Sequence, residues 1–305
     1  VGERRRLSLA DPRSAPANPP SMDRRSTFWL LLLPPAAWLA VFFVLPLVTM
    51  ALVSFRPDLK GGLLRFPSPS LEQYAVLART PSYLRLLGIS SGIAALVAAA
   101  ATALAYPIAY FITFRAGKRA ALYLLLLLVP FWTSYLLRVM AWKLVLGSNG
   151  VINSLLMTTG LREEPLSALL YSRSAVGLTL TYVWIPFAAL PILAALQRIE
   201  TPVMEAAFDL GATPVRRFWR VVLPLSLPGV VASFFMVFIP TVGEYVTPLL
   251  VGGSRGSLYG NIIQDFFTKA ANWPLGSALS MVMLAVTIAW ILLAARWGNI
   301  RQWLA

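Results

Sequence analysis

Apolar positions along the chain gather into six long runs separated by polar stretches. The runs cover roughly 27–52, 88–114, 120–142, 174–196, 225–251 and 276–297. Each is close to the ~20 residues a helix needs to cross a hydrocarbon core. This pattern predicts an all-α membrane protein with six transmembrane helices and both termini on one side. Pro130 interrupts the third run, Pro186 and Pro191 the fourth, and Pro228, Pro240 and Pro248 the fifth. A proline frees a carbonyl and kinks a helix, so Pro130, Pro186, Pro191 and Pro240 are the expected bending points. Gly88 and Gly92 have the spacing that allows close helix contact.

The island at 197–224 is polar and has a design of its own. Thr201-Pro202 reads as a helix start with Thr as cap, and Val203, Ala206, Ala207 and Leu210 form one apolar face. Gly211 supplies a left-handed stop. Thr213-Pro214 starts a second helix, whose Val215, Phe218, Trp219 and Val222 repeat the spacing and which Pro224 is expected to break. Glu205 and Asp209 lie four apart on the first helix, Arg216 and Arg220 four apart on the second, with Arg217 beside them. Helices this short are marginal alone, since isolated ones need roughly 12–15 residues. The pair must therefore pack on something: its own bundle, as a connector, or another protein, as a docking element.

Glu205-Ala206-Ala207, the following Asp209-Leu210-Gly211 and the closing Leu223-Pro224 resemble the cytoplasmic coupling loop of ABC-importer permeases. The resemblance extends over 130–138 (PFWTSYLLR), Ala141-Trp142, 147–153, Phe238-Ile239-Pro240, Gly243-Glu244, Gly252-Gly253 and Asn272-Trp273-Pro274. Together these are similar to the PotB-type permeases of spermidine/putrescine importers over nearly all of 27–297, with Tyr245 where a Phe is usual. The resemblance implies a type I ABC-importer permease fold and a six-helix permease domain at 27–297. In that family the coupling helix, here 202–210, enters a groove on the ATPase. The implied coupling residues are Glu205, Ala206, Ala207, Asp209, Leu210, Gly211, Arg216, Phe218, Leu223 and Pro224. The implied partners are two ATP-binding subunits, a second permease in a heterodimer and an external solute-binding protein. The implied solute is a polyamine or a related small cation.

Composition narrows the alternatives. At 12% charged residues the chain is far below the ~25% of soluble domains. It has no cysteine and no histidine, which excludes disulfides, thiolate metal sites and imidazole-based catalysis. No metal site or catalytic set stands out. The phosphate-cradling GxxxxGK[ST] is absent, Gly117-Lys118 lacking the earlier Gly, so ATP and Mg²⁺ would belong to the partner and this chain would bind no cofactor. The net charge of +14 suggests nucleic acid until its distribution is considered. Six Arg lie in 1–26, Arg115, Lys118 and Arg119 crowd one tight loop, four Arg lie in 197–224, and Arg296 and Arg301 follow the last span. The opposite loops carry their basic residues more sparsely. The positive-inside rule then places both termini and the island in the cytoplasm of a multi-pass inner-membrane protein that binds no nucleic acid.

Residues 1–26 lack helical period and read as a disordered cytoplasmic tail, with 298–305 a cytoplasmic C-terminus. The first Met is Met22, which marks a candidate start and leaves 1–21 as an added feature. Arg24-Arg25 precede a run of span length without a cleavage site, so an uncleaved first span is expected. The outer loops at 53–87 and 148–173 either cap the bundle or receive a soluble partner.

Inside the spans, Glu244 is a carboxylate in an expensive place. It is either a pathway residue that meets a cationic solute or a structural group tied to backbone amides or a basic side chain. Tyr245, Trp132, Tyr135 and Trp184 complete the candidate translocation pathway. With Trp142, Tyr182 and Phe187, these aromatics form either a cation–π seat for an amine or an interfacial belt. Arg138 and Lys143 are expected to snorkel to the interface. The alternative function, an ion-coupled secondary transporter, calls for more intramembrane charge and an internal repeat, and neither is visible.

Overall fold

The computed structural model describes residues 24–58, 69–166 and 169–297. The expected tail up to residue 23 and the C-terminus at 298–305 lie outside the described residues. The described residues are helices, turns and connecting loops, and among them no strand occurs. Six helical segments are long and apolar enough to cross a membrane: Phe28–Ser54, Pro81–Phe114, Tyr135–Thr158, Arg173–Gln197, Pro214–Val242 and Trp273–Ala294.

The chain divides into two compact units at Met50. The first holds α1 (Arg24–Leu39), a wide π-helical turn (Ala40–Val44) and the start of α2 (Leu45–Ser54), so helix begins ahead of the expected 27. Its large apolar side chains from Phe28 to Val48 are nearly all exposed, as suits a helix whose solvent is lipid or another chain.

The second unit is built on three tightly packed helices: α4 (Pro81–Phe114), α8 (Arg173–Gln197) and α11 (Leu223–Val242). Small residues permit the approach. Ala94, Ala98, Ala101, Ala105 and Ala109 are all buried along one face of α4. A side chain on Gly229 of α11 would come within 2.7 Å of the Pro191 carbonyl oxygen of α8. This alanine stripe does what was expected of Gly88 and Gly92, which face open space. Buried hydroxyls tie α4 to α11: Thr102 to Ser233 at 3.1 Å and Tyr106 to Ser226 at 2.8 Å.

The remaining elements pack around this core. From the expected outer loop at 53–87, α3 (Glu72–Arg79) buries Leu77 in a cluster with Leu87, Tyr259, Leu275 and Leu279. That cluster joins α3 to α12 (Tyr259–Thr268) and α13 (Trp273–Trp297). Burial raises the Tyr259 phenol above its ordinary range, so it stays a neutral donor to the Leu279 carbonyl. The loop after α6 (Tyr135–Leu146) contains α7 (Val151–Thr158), and buried Asn153 fastens it. Its amide donates to the Gly147 carbonyl at 2.9 Å, while its oxygen accepts from the Leu166 amide at 2.8 Å.

Two expectations are corrected here. The interruption expected at Pro130 is a full break, with α5 (Ala120–Leu128) ending in a 3-10 turn (Val129–Trp132), Thr133 extended and α6 beginning at Tyr135, so the span-length segment is Tyr135–Thr158 instead of 120–142. Pro224 does not break the helix after Thr213. Instead α10 (Pro214–Arg217) passes through a π-helical turn (Phe218–Val222) straight into α11. A proline ring collides with the carbonyl four residues back, here that of Arg220. A wide turn, in which the Leu223 amide donates to the Phe218 carbonyl, relieves the collision and keeps the helix running. Pro46 stands in the same register behind the turn at Ala40–Val44.

Candidate functional site

Two groups of residues stand out, one at each end of α11.

The first is the island. Between α8 and α10 lies α9 (Thr201–Asp209), whose N-cap is the extended Glu200 rather than Thr201. The helix starts one residue earlier than expected because Pro202 is tolerated anywhere in a first turn whose amides lack helical partners. At its other end the chain closes a full Schellman motif. The Gly211 amide donates to the Phe208 carbonyl at 2.8 Å and the Ala212 amide to the Ala207 carbonyl at 3.0 Å. Gly211 has φ +72°, the left-handed region where glycine carries no penalty. Thr213 then caps α10, its hydroxyl accepting from the Arg216 amide at 3.3 Å.

Backbone capping, then, holds this element, because little of it is buried. Of the expected apolar face only Ala207 is covered; Leu210 is 87% exposed, and Val203 and Phe208 are exposed too. Glu205, Ala206, Asp209, Arg216 and Pro224 are also exposed. Among the described residues none of the island's acidic or basic side chains forms an ion pair. Phe218 is the exception: half-buried, it packs edge-on against Tyr106 (5.7 Å) and Tyr110 (5.9 Å) of α4 and so anchors the wide turn to the core. Leu223, also half-buried, packs on the same core.

The second group surrounds two interruptions of helix. One is the 129–134 break between α5 and α6. The other follows α11, which stops at Val242, so Glu244 lies beyond the helix instead of within the expected fifth span. Its Oε1 accepts from the Val246 amide at 2.8 Å and the Thr247 amide at 3.1 Å, capping the π-helical turn at Pro248–Gly252. The two breaks are tied together by the Tyr135 hydroxyl, 2.5 Å from the Thr247 hydroxyl. Asn261 of α12 supports them from behind, its amide donating to the Tyr245 carbonyl at 2.8 Å. Gly260 allows this approach: a Cβ there would sit 2.5 Å from the Gly243 carbonyl oxygen.

Non-helical backbone at membrane depth is tolerated only where protein buries it or where it lines a wet cavity. Trp132 is 75% exposed, and Tyr245 and Phe131 are exposed too. The aromatics expected to act together fall into separate groups. Trp184 meets Phe187 at a tilt, and Phe187 meets Phe131 edge-on; Trp142 pairs with Tyr182; Trp132 stands apart. A cavity of about 1470 Å³ between α4 and α11 is lined mostly by apolar residues and includes none of the pathway candidates.

Arg138 contradicts the expected snorkelling. It is only 8% exposed, with its guanidinium carbon 5.5 Å from the Phe131 ring centre and 5.9 Å from that of Tyr135. Sequence reasoning assigned no role to Thr247, Asn261 or Phe131. Asn261, three residues after Leu258, follows a capping spacing that could have flagged it.

Comparison with known proteins gives consistent results. The family model for binding-protein-dependent transport system inner membrane components matches residues 24–299. The spermidine/putrescine transport system permease protein PotB of Haemophilus influenzae is 33% identical over 255 residues, covering 83% of this chain and 88% of that protein. The inner membrane ABC transporter permease protein YdcU of Escherichia coli is 30% identical over 282 residues, covering 88% and 89%. In fold, the chain is similar to a bacterial ABC transporter involved in import of the acidic polysaccharide alginate, with TM-score 0.70, 16% identity, and coverage of 90% of this chain and 96% of that one.

Proposed function

The chain belongs to the binding-protein-dependent transport system inner membrane components, and from that premise we propose that it carries polyamines inward through the paired breaks at 129–135 and 243–247. As a member of that family it is a multi-pass inner-membrane permease subunit of an ABC importer, working with an ATPase and a solute-binding protein. Beyond that, our reading gives it two ATP-binding subunits, a second and different permease, cytoplasmic termini and polyamines as solutes. Similarity to a spermidine/putrescine permease over most of both chains supports the solute class. The basic loops support the orientation.

The observation that carries the mechanism is the continuity of one helix. Pro214–Val242 is an unbroken helical run of 29 residues, about 43 Å at ~1.5 Å per residue. Its first turn follows Gly211 and the exposed α9; its last turn precedes Glu244. In the proposed cycle the ATPase grips Val203, Phe208 and Leu210, with Glu205 and Asp209 on the same short helix. Closure of the ATPase pair on ATP moves α9, and the Schellman turn passes that motion to α10. The rod delivers it to the breaks, where Glu244, Tyr245, Trp132, Tyr135 and Trp184 line the path. Hydrolysis belongs to the partner; this chain contributes geometry.

Co-purification from native membranes tests the reading, comparing the wild type with Glu205→Lys plus Gly211→Pro and assaying spermidine-stimulated ATP hydrolysis. We expect the ATPase and a second permease to accompany the wild type and the ATPase to be lost from the double variant. Equal retention by both would make the island a local connector.

A further inference from the structure

The buried Arg138 has no function in the mechanism above. The residue is more than nine-tenths buried, and its charge forms no ion pair among the described residues. Its Nε has no hydrogen-bond partner there either. Such a group is normally paired, since a desolvated cation without a carboxylate is costly. No ion pair joins it to Glu244, whose Oε1 accepts from the Val246 and Thr247 amides. What holds Arg138 is a pair of aromatic faces, Phe131 and Tyr135. The Tyr135 hydroxyl meets that of Thr247, whose amide donates to Glu244 Oε1, so one small region contains a carboxylate, two ring faces and a tethered cation.

These are the groups an alkylammonium needs: ring faces for cation–π attraction and a carboxylate close by. The seat is complete, and a side chain of the protein occupies it. We propose that Arg138 is a built-in surrogate for the solute's ammonium group, holding the Phe131–Tyr135 seat beside Glu244 until an amine displaces it. The inference rests on the polyamine reading above. Two cations cannot share one seat without strong repulsion, so the seat is either self-filled or solute-filled. The unpartnered Nε leaves the self-filled state weakly held, and displacement is correspondingly cheap. While Arg138 is in place, its charge repels small inorganic cations from the breaks. Apparent affinity for the amine is lowered by the fraction of time the seat is self-occupied.

The test uses the assembled complex of both permeases and the ATPase in nanodiscs with the solute-binding protein added in excess, ATP hydrolysis being measured against spermidine and, separately, putrescine. Arg138→Met empties the seat, so the half-saturating concentration should fall about tenfold, in line with one desolvated cation–π competitor removed. Arg138→Lys keeps a tethered cation and should stay within about threefold of wild type. If Met prevents assembly, Arg138→Gln gives the same comparison with a polar group retained. A wild type stimulated by spermidine whose Met or Gln variant shows an unchanged or higher half-saturating concentration overturns the proposal and leaves the permease reading intact. A wild type that neither amine stimulates overturns the polyamine reading, and the surrogate role falls with it.

Discussion

The island at α9–α10 and the paired breaks around Glu244 lie at opposite ends of one helix and are held in opposite ways. The island is ordered largely by its own backbone: a Schellman turn at Gly211, a Thr213 cap and early prolines, with buried Ala207 and half-buried Met204 the covered apolar residues of α9. The breaks are ordered by partners distant in sequence, Tyr135 with Thr247 and Asn261 with Tyr245. A locally ordered element can present bare side chains to a partner, because its shape does not depend on burying them. An element ordered by tertiary contacts can instead place a carboxylate and aromatic faces at membrane depth, where exposed backbone must be supported from behind.

The contrast makes glycine the sharpest probe. Gly260→Val should cost about 3 kcal/mol or more, since its Cβ meets the Gly243 and Glu244 carbonyls, and the complex should fail to accumulate as a monodisperse peak. Gly211→Ala meets open space and should cost only about 1–2 kcal/mol through its left-handed backbone, with assembly of the bundle retained. Equal damage from both would erase the distinction. Leu210→Asp should weaken ATPase association at least tenfold, roughly 2 kcal/mol at an interface anchor, while the melting temperature of the permease stays put. Tyr135→Phe removes one long-range hydrogen bond and should lower stability by about 1 kcal/mol, visible as a modest drop in melting temperature and in uptake. Thr213→Ala should have the smallest effect, about 0.5–1 kcal/mol, detected as faster hydrogen exchange confined to α10.

Legibility in the sequence followed the same division. The existence of α9 (its bounds one residue off), the left-handed Gly211 and the second start at Thr213-Pro214 could be read from the chain because each depends on neighbours within four residues. The number of spans could be read because it depends on composition, although the third lies at Tyr135–Thr158 instead of 120–142 and the fifth at Pro214–Val242 instead of 225–251. What was misread depends on distant atoms or on a wider turn than periodicity assumes. Pro224 looked like a terminator, yet a π-helical turn accommodates it. Glu244 looked like a residue within a span, yet it caps a break whose position is set by α12. Gly88 and Gly92 had the right spacing on a face with nothing opposite, while five alanines made the real contact. Arg138 looked able to reach the interface, and only the packing of Phe131 and Tyr135 reveals that it does not.

The central claim is that α10 and α11 move as one rod between the island and the breaks. The chain has no cysteine, so pairs of cysteines carry spin labels without background. Val215 and Ile239 are exposed near the two ends of the rod, and Leu249 is exposed beyond the break. Pulsed electron spin resonance on the assembled transporter, with and without ATP held from hydrolysis, gives the 215–239 and 215–249 distances. The rod predicts an unchanged 215–239 distance and a shifted 215–249 distance on nucleotide binding. A changed 215–239 distance with 215–249 moving in parallel would place the hinge at the Phe218–Val222 turn and contradict the account.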